Sequence, residues 1–153
     1  MNYDQRTIYR GFSLKEELKK FLFEEGYVIE DCGAFAQNPE DDYVDFARSA
    51  CEKIAQNPEE HKGIFLCGSG HGMDMVANKF SGLRAALCFN SDIAVQSREH
   101  ENANVLVIPS DWMRLEDVKA TVKAWLDTPF SGEGRHERRL EKMQDIEQKN
   151  FKV

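Results

Sequence analysis

Residues 63 to 73 read Gly-Ile-Phe-Leu-Cys-Gly-Ser-Gly-His-Gly-Met, an apolar run closed by a cysteine and followed by glycine at every second position. Met73, Val76, Ala77 and Phe80 then recur at helical spacing, so the pattern is strand, tight loop, helix. Glycines without a Cβ let the backbone turn sharply and approach a ligand closely. The N–H groups that open the helix make a ready anion site, and Cys67 at the strand end faces it. The loop differs from its look-alikes. A dinucleotide fingerprint needs glycine where Met73 stands, a P-loop needs a Gly-Lys-Ser/Thr end, and a hydrolase elbow needs glycine in place of Cys67. Taken alone, the loop is equally well read as a buried cysteine before a Gly-rich turn.

The rest of the chain alternates short apolar runs with amphipathic stretches. Thr7-Ile8-Tyr9 is a candidate first strand. Ser13 with Glu16 forms a capping box for a helix whose face is Leu14, Leu18, Phe21 and Leu22, ending near Gly26. Tyr27-Val28-Ile29 reads as a second strand. A polar loop through Asn38-Pro39-Glu40-Asp41-Asp42 leads to a helix over about 43–56, stopped by Asn57-Pro58. Beyond the central loop come a strand over Leu83–Cys88, a helix over 91–100, a strand over Ala103–Ile108 and a helix over Leu115–Leu126. A charged helix over about 134–149 ends the order. Strands alternating with helices predict a five-stranded parallel sheet covered on both faces. Ligands of such sheets bind at the carboxyl ends of the strands, where Cys67 sits.

At 153 residues, with no linker or repeat, one domain over 1–153 is expected. The formal charge of −7 argues against nucleic acid as a partner, since such binding relies on neutralising phosphates. No apolar stretch approaches the ~20 residues that span a bilayer, so no membrane role is expected. Met-Asn-Tyr-Asp-Gln-Arg lacks an apolar signal region. The four cysteines, Cys32, Cys51, Cys67 and Cys88, show no paired spacing, and the expectation is a reduced, cytoplasmic setting. The histidines lack zinc-ligand spacing, so no metal site is assigned.

Several stretches taken together resemble the type B ribose-5-phosphate isomerases and galactose-6-phosphate isomerase subunits. They are Gly11-Phe12-x-Leu14-Lys15-Glu16, Asp42-Tyr43-x-Asp45-Phe46-Ala47, the Gly63–Met73 segment, Ala77-Asn78-Lys79 and Gly82-x-Arg84-Ala85. Arg98-Glu99-His100, Ala103-Asn104-Val105-Leu106 and Gly134-Arg135-His136-x-x-Arg139 continue them in family order. The resemblance implies a three-layer, Rossmann-like αβα fold and a homodimer, or a tetramer built from it, with active sites between subunits and the C-terminal helix reaching toward the partner. It implies an aldose–ketose isomerase acting on a sugar phosphate, ribose 5-phosphate first, without metal or organic cofactor. Cys67 takes the role of base. Ser69 and the backbone of Gly68, Gly70, His71 and Gly72 hold the enediolate, and His100 opens the sugar ring. Tyr43 lines the pocket, His136 counts among the substrate-binding residues, and Arg135 and Arg139 face the phosphate. Arg135 and Arg139 are four apart and share a helix face, and a guanidinium fork suits a phosphate.

The pattern breaks at the pocket. The family's Ser-Asp-His-x-Gly-Phe segment is replaced by Thr7-Ile8-Tyr9-Arg10-Gly11-Phe12, so the Asp-His pair is gone. Glu101 stands where an asparagine follows the ring-opening histidine. Pro109-Ser110-Asp111 replaces a Gly-x-Arg whose arginine serves the phosphate. These changes keep two other readings open: an isomerase of the same mechanism for another sugar, and a non-catalytic subunit or sugar binder. A nucleotide-binding module is a more distant third.

Overall fold

The structure, a computed structural model, describes residues 4–34 and 41–151, with side chains from Gly11 onward. The polar loop expected through Asn38-Pro39-Glu40 lies outside them. Nine elements follow in order: α1 (Asp4–Glu24), α2 (Tyr43–Ile54), β1 (Gly63–Cys67), α3 (His71–Ala77), β2 (Ala85–Leu87), α4 (Ser91–Glu101), β3 (Val105–Pro109), α5 (Leu115–Asp127) and α6 (Gly134–Asn150).

The sheet is parallel with order β1-β3-β2. β3, at its centre, is buried along all five residues. Strand side chains alternate between faces, and both faces here are covered, so an unbroken apolar run is what a central strand needs. Leu106 and Ile108 enter one core with Leu18 and Leu22 of α1, Ala94 of α4, and Val118, Val122 and Trp125 of α5. Val105 and Val107 enter the other with Ala47, Cys51 and Ile54 of α2, Phe65 of β1 and Ala77 of α3. Each such aliphatic side chain contributes about 1.5–3 kcal/mol by leaving water. Three layers therefore form around one strand.

The expected five strands are three among the described residues. Thr7-Ile8-Tyr9 lies inside α1, and Ser13, expected as the cap, is interior to that helix. Between Tyr9 and Ser13 only Gly11 opposes helix, at a cost of roughly 1 kcal/mol relative to alanine. With no turn sequence to halt it, the helix of Leu14, Leu18 and Leu22 extends backward. α1 packs along β1, where a Cβ on Gly11 would stand 3.7 Å from the Leu66 carbonyl oxygen. Tyr27-Val28-Ile29 forms no strand either, and Val28 is fully exposed. The segment is instead tied to α1 through Asp31, whose carboxylate accepts from Lys15 Nζ at 2.9 Å and Lys19 Nζ at 2.7 Å. Burial is the largest single influence on the Asp31 carboxyl and raises it, but Lys19, Lys15 and the Gly33 N–H together outweigh burial and hold the carboxyl below its usual range.

Candidate active site

The loop after β1 is fastened by the strand beside it. The β1–β3 pairing continues past the strand ends: Ser110 N–H donates to Cys67 O (2.9 Å) and Asp111 N–H to Gly68 O (3.0 Å). Gly70, buried, caps α3 with φ +79°. A Cβ there would meet Leu87 Cδ1 at 2.4 Å and Val107 Cγ1 at 3.3 Å, so both conformation and space call for glycine. Asp74 N–H makes the first helical bond, to Gly70 O at 3.0 Å. The N–H groups of His71, Gly72 and Met73 therefore have no intrahelical acceptor.

Tyr43 closes this corner from α2. A Cβ on Gly72 would lie 2.4 Å from Tyr43 Oη and 2.5 Å from two ring carbons, so the phenol leans directly on the loop. Asp42 starts α2 by accepting from Val44 N–H at 2.9 Å, which sets the first turn carrying Tyr43. Cys67 is half-buried at the lip of the loop, while Ser69 and His71 are exposed. All four cysteines are free thiols. Burial pushes Cys51 and Cys88 up to about 11, and a thiol kept protonated is inert. Cys67 differs from both in reaching solvent.

Asp74, one turn into α3, is a site feature that sequence patterning did not single out. Its Oδ1 is buried without a hydrogen-bond partner, and burial raises its carboxyl above the ordinary value, partly offset by His71. A carboxylate among Met73, Val76 and Ala77 was the available signal.

The other predicted residues gather elsewhere. α4 starts beyond the carboxyl end of β2 and runs back, so His100 in its last turn lies beside the start of β3. β3 spans roughly 15 Å at ~3.3 Å per residue, which separates His100 from Cys67 within one chain. α6 crosses this amino end of the sheet. Its His136 ring lies 4.3 Å from that of His100, and Glu147 Oε2 accepts from Gly82 N–H at 3.0 Å. Arg135 and Arg139 are exposed on it, Arg135 paired with Glu133 at 2.9 Å. The structure thus brings Cys67, Gly68, Ser69, Gly70, His71, Gly72 and Tyr43 to one end, and His100, Arg135, His136 and Arg139 to the other. Among the described residues no group of three His, Cys, Asp or Glu side chains could hold a metal ion, and no helix is long and apolar enough to cross a membrane.

A parallel sheet covered by helices, with a glycine-rich loop after a strand's carboxyl end, places the chain among the α/β proteins, whose ligands bind at the strand ends. Comparison makes the class specific. The family model described as Ribose/Galactose Isomerase matches residues 9–143, and the chain belongs to that family. It is an isomerase. Ribose-5-phosphate isomerase B of Escherichia coli (strain K12) is 38% identical over 139 residues, covering 91% of each chain. The crystal structure of a ribose 5-phosphate isomerase from Thermotoga maritima aligns with 42% identity and a TM-score of 0.83, over 89% of this chain and 92% of that one. The structure of ribose-5-phosphate isomerase B from Mycoplasma genitalium with bound ribulose-5-phosphate aligns with 34% identity and a TM-score of 0.88, over 92% of each chain.

Proposed function

We propose that the protein interconverts ribose 5-phosphate and ribulose 5-phosphate through a cis-enediolate, with Cys67 as the base. The observation that carries this is the half-buried Cys67 thiol at the lip of the amide-lined loop from Gly68 to Gly72, in a chain of this family. The Cys67 thiolate takes the proton from C2 of the open aldose, and the C–H electron pair becomes the C1–C2 double bond as O1 gains charge. Loop N–H groups and the Ser69 hydroxyl stabilise that oxyanion. The O2 proton passes to O1, the double bond collapses toward C1 as C2 becomes the ketone, and the Cys67 thiol returns its proton to C1. The net change moves hydrogen within one substrate, so the scheme needs neither metal nor redox cofactor.

His100, the ring-opening group of this reading, and the α6 guanidiniums lie at the far end of their own sheet. A complete site therefore takes them from a second copy, which makes the protein a homodimer with two shared sites, α6 forming the contact. Arg135 and Arg139 of one copy then serve the phosphate end of the site on the other, while His136 is buried within its own chain. Free thiols, with Cys67 acting as a thiolate, fit a cytoplasmic setting.

The test is ribulose 5-phosphate formation from ribose 5-phosphate by the unsubstituted protein and by Cys67→Ala. Turnover should vanish in the variant while its melting temperature barely moves; retained turnover removes Cys67 from the role of base. A second reading, a family member lacking the usual activity, is favoured by α1, which runs as helix through the residues that replace the Asp-His segment. It is also favoured by Asp111, which puts a carboxylate where the family's phosphate arginine stands. Thermal stabilisation by ribose 5-phosphate without turnover would carry that reading.

A further inference from the structure

α6 is a 17-residue, strongly polar helix whose one buried residue is a histidine. His136 is 1% exposed. A buried imidazole needs a partner for its nitrogen, and the linker before α6 provides it: Ser131 Oγ lies 2.8 Å from His136 Nδ1. Glu133 N–H points at the same hydroxyl oxygen (3.4 Å). A hydroxyl can accept two hydrogen bonds and donate one, so Ser131 serves Nδ1 in either tautomer of the ring. Ser131 is itself fixed to the end of α4, its N–H donating to Glu99 O at 3.2 Å. One residue on, the His100 ring lies against that of His136, centroids 4.3 Å apart and planes tilted by 32°. Buried Arg98 closes the assembly, with Nε donating to Thr128 O (3.1 Å) and Nη1 to Ala103 O (2.6 Å). The linker is thereby bound to the last turn of α4 at two points.

We infer that Ser131 and His136 are a positioning pair for His100: the hydroxyl locks the buried imidazole, whose face is the wall that sets the His100 ring. The inference rests on the isomerase reading, in which His100 opens the sugar ring. It gives His136 a part distinct from phosphate binding, because a side chain so buried within its own chain presents its ring to His100. Removing the hydroxyl leaves Nδ1 without a partner in a buried place. The ring can then turn, and His100 loses its wall.

The experiment compares the unsubstituted protein, Ser131→Ala and Ser131→Thr in two assays on the full chain. One is isomerisation of ribose 5-phosphate, which begins from a closed furanose. The other is deuterium incorporation from D2O at C1 of ribulose 5-phosphate, an open-chain ketose whose exchange uses Cys67 but no ring opening. Ser131 is exposed, so its truncation leaves the core intact. Ser131→Ala should slow isomerisation about tenfold, the scale of a misaligned catalytic group, while exchange falls by less than about twofold. Ser131→Thr, which keeps the hydroxyl, should restore isomerisation. An Ala variant that isomerises normally overturns the pair, and so does an equal fall in both assays, which would mark a merely structural role. If the unsubstituted protein shows neither isomerisation nor Cys67-dependent exchange, the isomerase reading fails and takes the inference with it, an outcome distinct from the other two.

Discussion

Gly72→Ala separates the needs of the site from those of the fold. Gly72 is the second residue of α3 and has ordinary helical backbone, since the positive-φ glycines among the described residues are Gly26, Gly70, Gly82 and Gly132. On propensity alone, alanine there stabilises the helix by about 1 kcal/mol. The new methyl would stand 2.4 Å from Tyr43 Oη and 2.5 Å from Cε2 and Cζ, so the ring must retreat by about 1 Å to reach carbon contact distance. Tyr43 is 45% exposed and can swing outward, which costs under about 1 kcal/mol of lost contact. The two effects nearly cancel, and unfolding stability should stay within about 1 kcal/mol of the unsubstituted protein.

Activity should not be spared. Moving a pocket wall by about 1 Å costs up to roughly a hundredfold, so kcat/KM for ribose 5-phosphate should fall about 10- to 100-fold. The cause can be isolated by a double-mutant cycle. In a Tyr43→Ala background the methyl meets no ring, and Gly72→Ala should add no further loss. In a Tyr43→Phe background Cε2 and Cζ remain and the loss should persist. Steady-state kinetics on the six proteins (unsubstituted, three single variants and two double variants), with urea denaturation of each, decide it. Undiminished activity of Gly72→Ala, or an equal loss with Tyr43→Ala, would refute the placement of the phenol against the loop.

Two predictions concern stability at the same loop. Gly70→Ala combines a left-handed backbone, about 1–2 kcal/mol for a residue with Cβ, with a methyl 2.4 Å from Leu87 Cδ1, about 1–3 kcal/mol of overpacking. Urea denaturation should show a loss of about 2–5 kcal/mol, and a loss under about 1 kcal/mol would contradict the packing. Asp74→Asn should act in the opposite direction, because burial raises this carboxyl from an ordinary value of 3.8. The folded protein then holds the proton to higher pH than the unfolded chain, so stability falls as pH rises from about 3.8 through the folded value. The variant should be more stable at pH 7, by up to about 1 kcal/mol after allowing for partial solvent screening, with the gain shrinking toward pH 3. Destabilisation at pH 7 would mean that the carboxylate has a partner there.

What the sequence discloses follows from where each element's stabilisation lies. Cys67 through Met73 was legible because its glycines answer separate steric demands, Gly70 through its φ and Gly72 through Tyr43. Val105 to Ile108 was legible because a central strand buried on both faces has no room for polar side chains. Thr7-Ile8-Tyr9 and Tyr27-Val28-Ile29 misled for a shared reason. A short apolar run becomes a strand only if a neighbour pairs with it, whereas a helix makes its own bonds, so α1 could absorb the first run and leave the second without that run as a partner. The Ser131–His136–His100 contact was invisible because residue types disclose neither burial nor which linker folds back on α4. The division of the candidate residues between the two ends of the sheet needed the direction of α4, which follows from topology rather than from any local pattern.

The altered N-terminus and the retained loop then bear on different parts of the reaction. The loop is held by Ser110 and Asp111 amides from beyond β3, by Leu87 and Val107 beneath Gly70, and by Tyr43 over Gly72. These supports come from α2, β2, β3 and the residues just past β3. The change of a strand into the first turns of α1 leaves them in place. What changes is the wall on the α1 side, where Gly11 now stands near Leu66 O and the family's Asp-His pair is replaced. On the proposed function, holding an enediolate and holding a phosphate are thus tasks of separate segments. Loss of the second function by substitution at the N-terminus does not entail loss of the first. On this argument the sequence departures should be felt mainly in how tightly the phosphate end is bound, while Cys67-dependent proton exchange, which the loop alone organises, survives them.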